Sequence, residues 1–135
     1  MRKITKLMRV CGGAALILTS GACSSWCRND LRAEKITPNG QMKAVVFDRD
    51  CGGAVATAWG PHVVLLDSGA ALDEHDAVGD LFAARVPAGV RFGDTLVTIE
   101  WRTDTTLVLR YDPRLDVRLA VLRLGDVNVE YGRWR

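Results

Sequence analysis

From residue 95 onward, apolar and polar side chains alternate in a two-residue rhythm. Val97, Ile99 and Trp101 are separated by Thr98, Glu100 and Arg102, the pattern of a strand with one face on a core and the other in water. Thr103-Asp104-Thr105 reads as a tight polar turn. Leu107, Leu109 and Tyr111, alternating with Val108, Arg110 and Asp112, supply the second strand of a hairpin, and Asp112-Pro113 ends it. Val127, Val129 and Tyr131 alternate again after Gly125-Asp126, and a Gly-Asp pair between apolar runs signals a two-residue hairpin. Val117 to Leu124 is ambiguous, because Leu119, Leu122 and Arg123 also fit a helical face. The hairpin signal that follows argues for strand on both sides of it.

The first half of the chain carries shorter runs separated by turn chemistry. Arg32 to Thr37 reads as a strand, followed by Pro38-Asn39-Gly40, where Pro fixes one backbone angle and Asn or Gly accepts a positive φ. Met42 to Arg49 is the next strand, closed by Asp50-Cys51-Gly52-Gly53, and His62 to Leu66 is a third, rich in Val. Residues 67 to 80 are acidic and rich in Gly and Ala, the one place where a long loop or short helical turn is expected. Leu81 to Val86 is a further short strand before Pro87 and Gly89. These runs predict an all-β or β-rich α+β domain over residues 32–135, a small antiparallel sheet or sandwich of about six to eight strands.

What precedes that domain reads as an address. Arg2, Lys3, Lys6 and Arg9 form a basic head, Val10 to Leu18 is an apolar stretch, and Ser20-Gly21-Ala22 leads into Cys23. Charged, apolar and small-residue regions in that order make a secretory signal peptide over residues 1–22. The stretch is shorter than the roughly 20 apolar residues a spanning helix needs. Ser20-Gly21-Ala22-Cys23 resembles the lipobox of bacterial lipoproteins, with Ser20 where Leu is usual. Ser20 and Ala22 also satisfy the ordinary signal peptidase, so the local sequence leaves both cleavages open.

The cysteine count separates them. Cys11 leaves with the signal, and Cys23, Cys27 and Cys51 remain. Acylation of Cys23 leaves Cys27 and Cys51 as a pair in an oxidising compartment, where disulfides persist; an unmodified Cys23 leaves an odd thiol. Lipidation at Cys23, a tether over 23–31 and a Cys27–Cys51 disulfide follow, with the diacyl chains giving stable membrane residence. The bridge closes a loop of some two dozen residues and contributes roughly 3 kcal/mol by the chain-entropy argument. Cys-x-x-Cys redox spacing and paired zinc-ligand spacing are both absent.

Charge removes one class of partner. Four of the 18 Lys and Arg residues lie in the signal and all 16 Asp and Glu lie beyond it, so the 113 residues that remain carry a formal charge of −2. Nucleic-acid binding, which relies on a net basic surface, is not expected, and no polybasic stretch points to a membrane surface.

Candidate chemistry is sparse. Asp73-Glu74-His75-Asp76, flanked by Asp67 and Asp80, offers carboxylates and an imidazole of the kind that bind divalent cations. Asp73, His75 and Asp76 are weak metal candidates, because adjacent residues on one segment rarely converge on one ion and the EF-hand spacing is absent. A solvated acidic loop is the simpler reading. His62 follows Gly60-Pro61 and is either a general base or an edge residue. Ser68 lacks the Gly-x-Ser-x-Gly elbow and reads as a turn serine. No HExxH, P-loop or dinucleotide fingerprint occurs, and neither a catalytic residue nor a cofactor is assigned. Arg102, Arg110 and Arg118 fall on the polar face of the predicted sheet, with Glu100, Asp112 or Glu130 as partners. Trp26, Trp59, Trp101 and Trp134 are either interface anchors or, for Trp59 and Trp101, ordinary packing.

Residues 37 to 53, Thr-Pro-Asn-Gly-Gln-Met-Lys-Ala-Val-Val-Phe-Asp-Arg-Asp-Cys-Gly-Gly, resemble an uncharacterised family of small exported bacterial proteins. Its members carry a Ser-Pro-Asp-Gly-Lys turn, then Ala-Val-Val-Phe, then Arg-Asp-Cys-Gly-Ala. A cysteine upstream, a Trp-containing strand and a Val-x-Val-x-Tyr ending correspond here to Cys27, Trp101 and Val127-x-Val129-x-Tyr131. This chain departs at Thr37, Asn39, Gln41 and Gly53, keeping the turn chemistry. The resemblance implies no catalytic residue. The reading that results is a small non-enzymatic envelope lipoprotein, an interaction or structural module held to a membrane and facing an envelope partner from the periplasm or exterior. The alternatives are a soluble periplasmic or secreted form, and a metal- or ligand-binding domain using the 67–80 loop.

Overall fold

A computed structural model describes residues 27–51, 59–72 and 79–134. The expected signal helix (1–22), the lipidation site Cys23 and the metal candidates Asp73, His75 and Asp76 lie outside the described residues. Every regular element described is a strand: β1 Arg28–Ile36, β2 Met42–Asp50, β3 Trp59–Asp67, β4 Gly79–Arg85, β5 Val97–Thr103, β6 Thr106–Tyr111, β7 Asp116–Ala120, β8 Arg123–Leu124 and β9 Val127–Arg133. They form a five-stranded sheet in the order β1-β2-β3-β4-β7 and a four-stranded sheet in the order β5-β6-β9-β8. The predicted β-sandwich is therefore present, with nine strands where six to eight were expected. The ambiguous stretch from Val117 to Leu124 contributes two of them, one to each sheet.

Four antiparallel strands are laid down in order, β1 to β4, and the chain then crosses to make the β5–β6 hairpin. Asp112 turns it back to place β7 beside β4. A second crossing brings β8 and β9, and β9 enters beside β6 in parallel. That pair is the exception to the expected antiparallel pattern. Both strands are the return arms of hairpins whose turns, at 104–105 and 125–126, lie at the same end of the sheet, so they leave those turns in the same direction.

The inner faces of the sheets share one core, built on Val46, Val63, Leu65, Phe82, Ile99, Leu107, Leu109 and their neighbours. β2 and β3 are buried on both faces, which explains why Ala44-Val45-Val46-Phe47 and Val63 to Leu66 read as unbroken apolar runs. Their outward residues Val45, Phe47, Val64 and Leu66 form a second cluster, against which Ala70 and Leu72 pack. Val108 was expected on the water face of β6 but is buried. It sits opposite Glu100 on one side and Glu130 on the other, whose aliphatic stems flank it on this interior strand.

Two boundaries differ from expectation. β1 takes in Arg28 to Leu31, which the sequence assigned to a tether, because these mostly polar residues pair with the end of β2 from Arg28↔Asp50 to Leu31↔Phe47. β3 begins three residues earlier than predicted and includes Pro61, which lies past the end of the β3–β4 ladder at His62↔Ala83, so no donor is needed there.

Polar contacts close the turns and clamp the sheets. The Gly40 N–H donates to Thr37 O (2.8 Å), Gly40 takes φ +76°, and the Asn39 N–H donates to Asp104 Oδ1 (2.7 Å), joining the β1–β2 turn to the β5–β6 turn. Asp112 is buried at the β6–β7 corner and is clasped by the Nε, Nη2 and backbone N–H of Arg114. Asp112 thus pairs with Arg114 and not with Arg102, Arg110 or Arg118. Those hydrogen bonds hold its carboxyl below the usual carboxylate range. On one side of the sandwich Trp101 Nε1 donates to Lys35 O of β1 (2.7 Å). On the other, the Tyr131 hydroxyl lies 2.7 Å from Val121 O and 3.0 Å from Leu81 O, bonding β9 to β4 and to the second crossing.

Burial pushes the Tyr131 phenol up to about 12 from 10.0. The folded state holds this proton more tightly than the unfolded one, so the hydroxyl contributes fully below pH 10 and its contribution is lost as pH rises toward 12. In a Tyr111→Phe variant, Tyr131 is the one tyrosine left of two, and its phenolate absorbance should rise with a midpoint near 12. Tyr131→Phe should cost about 1.5 kcal/mol in urea unfolding at pH 7. A glycine pair tests the strand packing. A Cβ on Gly60 would come within 1.8 Å of Ala84 O, whereas one on Gly69 meets nothing within 4 Å. Gly60→Ala should therefore destabilise by about 1–3 kcal/mol, and Gly69→Ala by no more than about 0.5 kcal/mol.

Candidate functional site: clefts on either face of the bridged sheet

Cys27 immediately precedes β1 and Cys51 immediately follows β2, so the register Arg28↔Asp50 sets them side by side. They form the disulfide expected from the cysteine count. The bridge marks one end of the five-stranded sheet, where β1 and β3 begin and β2 and β4 finish. A cleft lies on each face of the sheet near this end.

The inner cleft opens between the sheets, with a volume of about 340 Å³. Val46, Pro61, Leu96, Val97 and Ile99 give it apolar walls, and Arg32, Lys35, Asp48 and Asp94 give it charged ones. Asp48 continues the inward series Ala44, Val46, and is buried. A bulge in β1 between Leu31 and Ala33 turns Arg32 toward it, and Arg32 Nε donates to Asp48 Oδ2 at 2.7 Å. Burial raises the Asp48 carboxyl above its ordinary range. The hydrogen bond and charge of Arg32 oppose that shift, and the charge of Asp30 adds to it. Above the mouth, Phe92 packs edge-on against Trp59 at 5.2 Å, with the Arg32 guanidinium 4.8 Å from its ring centre. Phe92 remains 46% exposed, an aromatic held at the surface by a cation on one side and a ring on the other.

The outer cleft, about 270 Å³, is lined by Arg49, His62, Arg85 and Arg118 together with Cys51, Trp59 and the short side chains of Ala83 and Ala84. His62 is not an edge residue, because β3 is an interior strand between β2 and β4. Its imidazole stacks on Phe47 with centroids 5.4 Å apart. Burial lowers its pKa, the charge of Arg49 lowers it further, and Asp80 acts the other way, so His62 is a neutral stacking group at pH 7.

The remaining sequence candidates disperse. Ser68 follows β3 in a turn, where its N–H donates to Gln41 O (3.0 Å). Among the described residues no three His, Cys, Asp or Glu side chains converge on a metal position. Arg102 pairs with Glu130 and Arg110 with Glu100 on the water face of the four-stranded sheet, while Arg118 pairs with Asp116; exposed pairs of this kind contribute little. Trp59 and Trp101 pack against the core. The sequence reading passed over Arg32, Asp48 and Phe92. One signal was there: Asp48 is a carboxylate in phase with the inward residues of an apolar strand.

Removing Arg32 leaves the Asp48 carboxylate buried without its partner. Asp48 binds its proton more tightly when folded than unfolded, so Arg32→Ala should be most destabilising above the raised Asp48 pKa and recover below it. A loss of about 2 kcal/mol at pH 7 that shrinks toward pH 4 in denaturant titrations is expected, and a loss equal at both would show that the carboxylate is not what Arg32 serves.

No family model matches this chain, and no curated protein or solved structure matches it either, so its function is read from the bridge and the two clefts.

Proposed function

We propose that this is an exported, lipid-anchored protein of the bacterial envelope that acts by binding another envelope component and not by turning over a substrate. The observation that carries this reading is the Cys27–Cys51 bridge. It uses two of the three cysteines that follow residue 22 and leaves Cys23, behind Ser20-Gly21-Ala22, as the single thiol to be accounted for. Acylation accounts for it, and an oxidising compartment accounts for the bridge.

The inner cleft supports the binding half of the proposal. Its volume of about 340 Å³ is at the lower end for small-ligand sites and suits one inserted side chain or a short segment of a partner. Apolar walls would take the body of such a group, while Arg32, Lys35 and Asp94 would meet its polar end. A buried carboxylate held above its ordinary pKa is a cost to the fold at neutral pH, the kind of cost found where function sets the residue.

Intact mass measurement of protein from membranes, with and without reduction, tests the anchor. A chain beginning at Cys23, carrying acyl mass and gaining two protons on reduction, is expected. An unmodified chain in the soluble fraction would overturn it. A photo-crosslinking residue in place of Thr95, which lines the inner cleft in phase with Val97 and Ile99, should give a reproducible adduct in intact cells. The same probe at Asn128, on the exposed face of the four-stranded sheet, should not.

A further inference from the structure

The outer cleft is lined by Arg49, Arg85, Arg118 and His62, with no carboxylate among the described residues that line it, although the chain beyond the signal is net acidic. Arg85 makes no ion pair among the described residues. Arg49 is held by Asn29 Oδ1 at 3.0 Å, an uncharged acceptor that fixes the side chain without cancelling its charge. Its guanidinium lies 5.6 Å from the Phe47 ring centre. Of the three, Arg118 alone has a carboxylate partner among the described residues, Asp116 at 2.6 Å. Three arginines beside one small concavity suit an anion with several oxygens, since guanidinium groups pair with phosphate in two-pronged fashion.

Position decides which anion. The registers Arg28↔Asp50, Asp50↔Trp59 and Arg85↔Asp116 collect these residues at the bridged end of the sheet. Cys51 itself lines the cleft and is bonded to Cys27. Cys23 precedes Cys27 by four residues, and an extended chain covers at most about 3.6 Å per residue. An acyl anchor at Cys23 would therefore hold the bridge within about 14 Å of the membrane surface, with the arginine cleft beside it. Trp59, on the cleft wall, is a residue type enriched at headgroup depth.

We infer that the Arg49–Arg85–Arg118 cleft binds the phosphate of an anionic phospholipid headgroup and orients the domain with its bridged end on the membrane. The inference rests on the anchor proposed above for its geometry, but not for its chemistry, so the two are separable. The test uses the unlipidated chain 23–135 carrying Cys23→Ser, with the Cys27–Cys51 bridge intact. Co-sedimentation should show at least about tenfold tighter association with phosphatidylglycerol vesicles than with phosphatidylcholine vesicles, weakening as salt is raised. Arg85→Gln with Arg118→Gln should reduce it about 25-fold, about fivefold for each cation lost. Arg102→Gln with Arg110→Gln, on the far sheet, removes the same charge and should leave it unchanged. Near-UV circular dichroism checks that both variants are folded.

Equal losses in the two double variants, or no preference for the anionic vesicles, would overturn the proposal. So would an Arg85-dependent spectral shift with inorganic phosphate in a chain that ignores vesicles, which would make this a free-anion site. Acyl mass at Cys23 without vesicle preference would leave the anchor standing and remove the cleft. Vesicle preference in a protein whose native form is not acylated would do the reverse.

Discussion

Phe82 is fully enclosed between the sheets, with its ring 5.3 Å from that of Tyr111 and 6.2 Å from that of Tyr131. The three rings come from β4, β6 and β9, so this contact joins the four-strand meander to the parallel pair in the middle of the other sheet. Such ring pairs contribute about 0.5–1.5 kcal/mol beyond their buried area. The larger effect is one of placement. With its ring packed on Phe82, Tyr131 brings its hydroxyl to Leu81 O and Val121 O and fixes where the chain leaves one sheet for the other. The sheets are then clamped on that side by Tyr131 and on the opposite side by Trp101, and the inner cleft is the space near the bridged end that this frame leaves unfilled.

Burial and hydrogen bonding act on the ionisable groups in different places. At the bridged end, burial drives Asp48 up and His62 down, so both are moved toward their uncharged forms by the same cause. At the β6–β7 corner, Asp112 is also sheltered, but Arg114 supplies hydrogen bonds to the charged form and its pKa falls. The corner is satisfied; the bridged end retains electrostatic tension, and it is there that both clefts lie.

Alternation made the C-terminal strands legible: Val97-Ile99-Trp101 and Val127-Val129-Tyr131 lie on the inner face as their period implied. The Pro38-Asn39-Gly40 turn was legible because its chemistry is local, down to the positive φ at Gly40. Pairing was less so. Nothing near Leu107 or Val129 announces that their strands lie in parallel, since that follows from where their two hairpin turns come together and not from either strand. The division of Val117–Leu124 between two sheets was hidden for a related reason, because β7 is an edge strand whose burial gives no clear rhythm. The clefts were least visible. Arg32 and Asp48 are 16 residues apart, and only the β1–β2 register with its bulge brings them together. Arg49, Arg85 and Arg118 come from three strands, each unremarkable alone.

The bulge that aims Arg32 also changes what β1 presents along its outer edge. An edge strand of nine residues carrying exposed Leu31 and Ile36 is a template on which a second copy could add as a further strand. The bulge divides that edge into two short stretches out of phase, Trp101 occupies the Lys35 carbonyl, and five of the nine residues carry charge. Each interrupts edge-to-edge association. The same irregularity that builds the inner cleft therefore also keeps a second copy of the domain from extending the sheet across this edge.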